Sequence, residues 1–217
     1  MGHEFASERS DRKTIAAVDG LRESDLDPDP FRQFARWYRE AEEAAVRTPE
    51  AMALATATAD GVPSVRMVLL KGFSERGLVF YTNALSRKGE EMADNPRAAL
   101  LLYWEPLHRQ LRVEGTVAPA SREETERYFH SRPRDSQASA AVSRQSSIVA
   151  NRDSLDRAAE RFLAQHAGDE LPLPDEWSGF RVTPASFEFW QGRTNRLHDR
   201  LRYRLLDGRW IVERLAP

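Results

Sequence analysis

Short runs of alternating polarity, closed by tight turns, recur along this chain and leave few folds open to it. Arg200, Leu201, Arg202, Tyr203, Arg204 and Leu205 alternate with period two, one face apolar and the other cationic. Asp207-Gly208 supplies the residues a tight hairpin needs, and Trp210 to Leu215 reads as the returning strand. Met52 to Ala59, Asp60-Gly61 and Pro63 to Leu70 repeat the sequence of strand, turn and strand. Leu78 to Thr82, Arg97 to Trp104, Arg109 to Val117 and Trp177 to Phe189 read as further strands. Strands that outnumber helices and follow one another through short turns predict a mainly β, α+β fold: an antiparallel barrel with helices packed around it.

The helices are fewer. Pro30 opens one that runs to about Arg47, with Phe31, Phe34, Trp37, Tyr38 and Ala41 at helical spacing as its core stripe. A second begins at Ser86-Arg87-Lys88 and runs to about Asp94. Ser121 with Glu124 forms a capping box that starts a third, carrying Tyr128 and Phe129. Pro133 interrupts, leaving residues 131–137 as a cationic connection into a small-residue stretch, Ala138 to Val142. Residues 153–166 form another helix, and Leu171-Pro172-Leu173-Pro174 is a stiff link. Residues 1–26 are polar without periodicity and read as a mobile arm, so the folded domain is expected over 27–217.

The 32 Lys+Arg and 34 Asp+Glu leave a net charge of −2, so no global field recruits nucleic acid or an anionic membrane. With no cysteine, disulfides, thiol nucleophiles and thiolate metal sites are excluded. No run reaches the roughly 20 apolar residues of a membrane span, and the first residues lack a signal-peptide core, so a cytoplasmic protein is expected. There is no P-loop, GxGxxG fingerprint or metal-binding His pair, and no metal is expected.

Lys71, Arg87, Lys88, Arg132, Arg196 and Arg200 all fall at the ends of elements, beside aromatic or small residues. Several such cations in a near-neutral chain suggest a small ligand bearing a phosphate and an aromatic ring. Ser86-Arg87-Lys88 at a helix start suits a phosphate, because free backbone N–H groups, the helix dipole, a hydroxyl and two cations converge there. The alternative is that Ser86 merely caps the helix while Arg87 and Lys88 lie in water. Two clusters would imply two phosphorylated ligands, such as a cofactor and a substrate.

Arg66-Met67-Val68-Leu69-Leu70-Lys71, Phe80-Tyr81-Thr82-Asn83, Ser86-Arg87-Lys88-Gly89, Tyr103-Trp104-Glu105, Tyr128-Phe129 with Ser131-Arg132-Pro133-Arg134-Asp135-Ser136-Gln137, Gln145-Ser146, Phe189-Trp190-Gln191-Gly192, Arg196-Leu197-His198-Asp199-Arg200 and Glu213-Arg214-Leu215-Ala216-Pro217 occur in this order. In these motifs the chain strongly resembles the pyridoxamine 5′-phosphate oxidase family from about residue 30 onward. The resemblance implies an FMN-binding split barrel that works as a homodimer with flavin at the subunit interface. It implies that Arg66, Met67, Val68, Leu69, Leu70, Lys71, Tyr81, Thr82, Arg87 and Lys88 hold FMN from one subunit. Gln110, Gln145, Ser146, Trp190 and Arg200 would complete the flavin site, some of them from the partner. Lys71, Tyr128, Arg132 and Ser136 match the grip on the substrate phosphate, and Arg196 and His198 match the residues beside the reacting carbon.

The activity so implied is oxidation of pyridoxamine or pyridoxine 5′-phosphate to pyridoxal 5′-phosphate, with O2 as acceptor and H2O2 as product. Two departures from the family pattern stand out. The N-terminal region lacks an Arg-Arg-Glu-Tyr-type segment, and Ala138-Ser139-Ala140-Ala141 stands where the family usually continues Ile-Gly-Ala-Trp. The second resembles related FMN oxidases of late phenazine biosynthesis, an alternative against which the complete Tyr128, Arg132, Ser136 set argues. A non-catalytic flavin carrier is the other alternative, and retention of Arg196 and His198 argues against it.

Overall fold

The first helix follows directly from its opening residues. Asp29 accepts a hydrogen bond from the Phe31 amide at 2.8 Å, and Pro30 occupies the first turn, so the chain enters α1 (Pro30–Glu43) already capped. The computed structural model describes residues 20–194 and 197–217. The helical stripe anticipated for α1 buries Phe34, Trp37 and Ala41 completely or nearly so. Trp37 meets Phe189 edge-on at 5.0 Å, and the Arg109 guanidinium lies over its ring at 4.5 Å.

Among the described residues the strands form one antiparallel sheet of nine: β1 (Ala51–Ala57), β2 (Pro63–Leu69), β3 (Gly72–Ser74), β4 (Gly77–Asn83), β5 (Arg97–Trp104), β6 (Arg109–Pro119), β7 (Trp177–Gln191), β8 (Asp199–Leu206) and β9 (Arg209–Arg214). Their order is β2-β1-β5-β6-β7-β4-β3, with β8 also on β7 and β9 on β8. The sheet is organised on β7, whose first half pairs with β4 and whose second half pairs with β8, while β6 runs along its length. At Glu114/Gly115 the register with β7 shifts; a Cβ on Gly115 would sit 2.0 Å from the Thr183 carbonyl oxygen, so only glycine fits this bulge. The core between α1 and the curled sheet is aromatic: Phe34, Phe80, Trp104, Phe187, Phe189 and Tyr203, with the Tyr203 hydroxyl donating to the Asp27 carbonyl at 2.6 Å. Each such side chain contributes roughly 1.5–3 kcal/mol on burial. Together they give the mainly β, α+β split barrel that was expected.

Helix α2 (Arg87–Asp94) follows β4, and α3 (Arg122–Ser131), α4 (Arg134–Val142) and α5 (Arg152–Gln165) lie between β6 and β7. A second apolar cluster of Phe129, Ala138, Leu171 and Trp177 joins α3 and α4 to the start of β7. Helix α4 corrects the reading of residues 131–142 as a connection and a small-residue stretch. Pro133 sits at its N-cap, and Ala138 is fully buried, so small size serves close packing. Residues 1–19 of the expected arm lie outside the described residues. From residue 20 the chain is docked: Leu21 is buried, its amide donates to Asp199 Oδ2 at 3.1 Å, and Arg214 pairs with Glu23 at 2.8 Å. Among the described residues no helix is long and apolar enough to cross a membrane.

Candidate active site

Strand β2, the end of β4, the first turn of α2 and the α3–α4 corner enclose a cavity of about 540 Å³. Its lining takes Arg66, Met67, Val68 and Leu69 from β2, Lys71 just beyond, Tyr81 and Thr82 from β4, Lys88 from α2, Tyr128 and Arg132 from the corner, and Gln145. Tyr81 stacks on Tyr128 at 4.0 Å with an 18° interplanar angle and on Trp177 at 5.4 Å with 12°, giving one wall of parallel rings. The Arg132 guanidinium lies over Trp177 at 4.9 Å, yet its buried NH1 nitrogen has no hydrogen-bond partner. Burial pulls the Arg132 pKa down from its ordinary value. A buried guanidinium nitrogen without an acceptor is rare, and an anion placed in the cavity would satisfy it.

The second cation is Lys88, 7% exposed. Its Nζ donates to Ser86 Oγ at 3.0 Å and to Gln145 Oε1 at 2.7 Å, both neutral oxygens. Burial first, and then the Arg66 charge, lower its pKa to about 8. Thr82 Oγ1 donates to the same Gln145 oxygen at 2.8 Å, and the Arg87 amide donates to Ser146 Oγ at 3.2 Å, so Gln145 and Ser146 reach this site within one chain. Ser86 does not cap α2 with its side chain: its buried hydroxyl donates to the Asn83 carbonyl at 2.6 Å and accepts from Lys88. Gly89 lets this helix start press against the end of β4, for a Cβ there would lie 2.0 Å from the Ala84 carbonyl oxygen.

Arg66 and Arg87 converge on Glu91, which sequence reasoning passed over. Its carboxylate is 4% exposed and accepts from Thr56, Ser64, Arg66 at 3.3 Å and Arg87 at 2.9 Å. Burial alone would raise its pKa, but the bonds from Ser64, Thr56 and Arg87 and the Arg87 charge outweigh that and hold it at about 2.

The cavity does not gather every candidate: Arg87 and Ser146 lie outside its lining and border a neighbouring hollow that shares Gln145 with it. Leu70 turns into the core at 5% exposure, its amide donating to the Glu50 carbonyl. Ser136 lies in the first turn of α4 outside the lining, whereas Ser139, Ala140 and Ser143 belong to it. Those three and Ser136 recur at helical spacing, a signal hidden while the segment read as a connection. Gln110, Trp190 and Arg200 form a separate cluster, set opposite one another across β6, β7 and β8. There Trp190 meets the His198 ring at 4.7 Å, and Arg200 pairs with Glu188 at 2.8 Å. His198 Nδ1 accepts from the Arg193 amide at 3.0 Å, which leaves Nε2 as the ring nitrogen that can donate. Arg196 lies outside the described residues. Trp177 and Trp190 stand near opposite ends of β7, separated by roughly 40 Å of strand contour. Among the described residues no group of three or more His, Asp or Glu is placed to hold a metal.

The two cation sites, the ring wall and the amide and hydroxyl donors fit a ligand that combines phosphate with a planar ring system. Comparison with known proteins agrees. Residues 38–166 match the family model described as pyridoxamine 5′-phosphate oxidase, and residues 177–217 match the pyridoxine 5′-phosphate oxidase C-terminal dimerisation region. A pyridoxine/pyridoxamine 5′-phosphate oxidase of Trichormus variabilis is 48% identical over 209 residues, 96% of this chain and 98% of its own. One from Rubrobacter xylanophilus is 53% identical over 198 residues, 91% of each chain. Among solved structures, PhzG from Burkholderia lata, in complex with tetrahydrophenazine-1-carboxylic acid, aligns with a TM-score of 0.87 at 35% identity, covering 93% of this chain and all of its own. With its sheet, its phosphate-suited cavity and both parts of its length so matched, the chain belongs to the pyridoxamine 5′-phosphate oxidase family.

Proposed function

We propose that this protein is an FMN-dependent oxidase that converts pyridoxamine or pyridoxine 5′-phosphate to pyridoxal 5′-phosphate, reducing O2 to H2O2. The observation that carries this reading is the buried, unpartnered Arg132 nitrogen above a wall of three parallel rings, in a cavity that also holds Lys88. Bound FMN supplies the hydride acceptor and the reaction with dioxygen. The backbone and side chains of Arg66, Met67, Val68, Leu69, Lys71, Tyr81, Thr82, Arg87, Lys88 and Gln145 hold it, Lys88 and the α2 N-terminus serving its phosphate. Arg132, Lys71 and Tyr128 clamp the substrate phosphate, with Ser136 adjoining from α4. That clamp fixes the pyridine ring so that its C4′ carbon meets the acceptor, which is the main work the protein performs. Water then hydrolyses the imine formed from the amine substrate, releasing ammonia and the aldehyde.

The cluster of Gln110, Trp190, His198 and Arg200, with Arg196, is supplied to this cavity by a second copy of the chain. The strand contour between the two clusters, and the name of the matched 177–217 region, support a homodimer. So do Val65, Met67 and Leu69, which leave an apolar β2 face exposed in the single chain. His198, whose Nδ1 accepts from the Arg193 amide, turns Nε2 to the reacting carbon as a donor in this reading. The cysteine-free chain suits a reducing cytoplasm, where we place the activity.

A second reading, oxidation of a reduced tricyclic phenazine precursor, draws on the PhzG likeness and on Ala138-Ser139-Ala140-Ala141, whose Ala140 lines the cavity. Anaerobic mixing of the FMN-loaded protein with pyridoxamine 5′-phosphate separates the two. Rapid loss of the oxidised-flavin absorbance band is expected; bleaching only by a reduced phenazine precursor would replace the first reading with the second.

A further inference from the structure

We infer that Glu91 is a positioning residue for the cofactor: its carboxylate is the resident counter-ion that aims Arg66 and Arg87 and sets the charge of the phosphate cup. Glu91 lies one helical turn after Arg87 on α2 and reaches across to β1 and β2, where Thr56 and Ser64 also donate to it. Three donors meet Oε2 of the buried carboxylate and a fourth meets Oε1, so its position is fixed. Arg66 is fixed in turn. Its NH1 donates to the Leu54 carbonyl at 3.0 Å and to Thr56 Oγ1 at 2.6 Å, while NH2 meets Ser64 Oγ and Glu91. Arg87 commits its Nε to Glu91.

The charge count gives the carboxylate a purpose beyond holding the fold. Around the first turn of α2, Arg66, Lys88 and the more exposed Arg87 bring three positive charges, and Glu91 removes one, leaving a net charge of +2 for the cup. A phosphate monoester carries close to −2 at neutral pH, so the occupied cup is neutral. Without Glu91 the three cations would repel one another across a partly buried site and leave the geometry that now converges beside Lys88. A buried ion pair is in itself weak evidence for stability, so a role confined to the fold is the poorer account of this one.

The inference rests on the reading that this cup takes the FMN phosphate, and its test separates the two. The affinities of FMN and of riboflavin, which lacks the phosphate, are measured on the full-length apoprotein by flavin fluorescence. In Glu91→Gln, FMN is expected to bind about tenfold more weakly while riboflavin stays within about twofold, because the misaimed cations serve only the phosphate. Ser64→Ala, which removes one donor from the carboxylate and keeps its charge, should shift FMN in the same direction by roughly twofold to fivefold, and it serves alone if Glu91→Gln does not fold. Parallel weakening of FMN and riboflavin, or FMN binding unchanged or tightened, would overturn the role of Glu91 and leave the cofactor reading intact. Failure of the wild-type protein to discriminate FMN from riboflavin would overturn both.

Discussion

Raising the pH should move the stability of the apoprotein and its affinity for FMN in opposite directions, and Lys88 is the reason. The ammonium is buried among neutral acceptors, and burial, then Arg66, lower its pKa from 10.5 to about 8. In the unfolded chain it titrates near its ordinary value, about 10.4. Between those two values the unfolded state therefore binds more protons than the folded state, and stability rises with pH. The penalty for burying the charge is fully present below about pH 8 and is relieved toward pH 10.5, on the order of 2 kcal/mol after allowance for solvent reaching the open cavity. Binding of FMN runs the other way. Its phosphate is already a dianion above a pKa of about 6, so each pH unit above 8 requires Lys88 to take up a proton and weakens binding by up to about tenfold. Urea unfolding of the apoprotein and flavin fluorescence titration, each from pH 7.5 to 9.5 against Lys88→Met, measure both slopes; riboflavin corrects for ionisation of the flavin ring itself. Lys88→Met should abolish the rise in stability and the phosphate-specific fall in affinity together. Equal slopes in wild type and variant would refute the reasoning.

Three further outcomes follow from the geometry. Arg132→Met should raise the KM for pyridoxamine 5′-phosphate by about a hundredfold, since a charge-assisted phosphate contact is lost, while FMN affinity holds; steady-state kinetics beside flavin titration will show it. Gly89→Ala forces a methyl group to within 2.0 Å of the Ala84 carbonyl oxygen, and a loss of about 1–3 kcal/mol in urea unfolding is expected, with weakened FMN binding as α2 shifts. Met67→Glu places a charge on the exposed apolar face of β2, and light scattering should report a shift from dimer toward monomer at micromolar concentration.

Turn chemistry and periodicity were the legible part of the fold. Asp207 and Gly208 both take positive φ, as the hairpin between β8 and β9 required, and the aromatic stripe of α1 buries Phe34 and Trp37 as its spacing implied. Helix α4 was not legible, because a helix built of Ala and Ser shows no apolar stripe; its packing comes from small size against Phe129 and Trp177. Nor was β3, whose three residues are too few for alternation to register. In the candidate site the motifs brought together Arg66, Lys71, Tyr81, Thr82, Lys88, Tyr128, Arg132 and Gln145. Glu91 escaped notice because a glutamate in a short polar helix reads as surface, and only the fold shows that it faces β1 and β2. The docking of Leu21 escaped for the same reason: its partner, Asp199, is distant in sequence and no local pattern encodes the pairing.

The length of β7 has a consequence for genetics. One strand carries Trp177 beside the cavity and Trp190 beside the Gln110 and Arg200 cluster, so in the shared-site dimer proposed above each polypeptide would equip two different reaction chambers. A lesion at Arg132 and a lesion at His198 then fall in separate chambers when carried on one chain, but can meet in a single chamber of a mixed dimer. Arg132→Met and His198→Leu, each impaired on its own at low pyridoxamine 5′-phosphate and refolded together in equal amounts, should complement each other. Random pairing leaves about a quarter of all chambers with neither lesion. Recessive alleles beside the two ends of this strand would therefore rescue one another at substrate levels where neither suffices by itself.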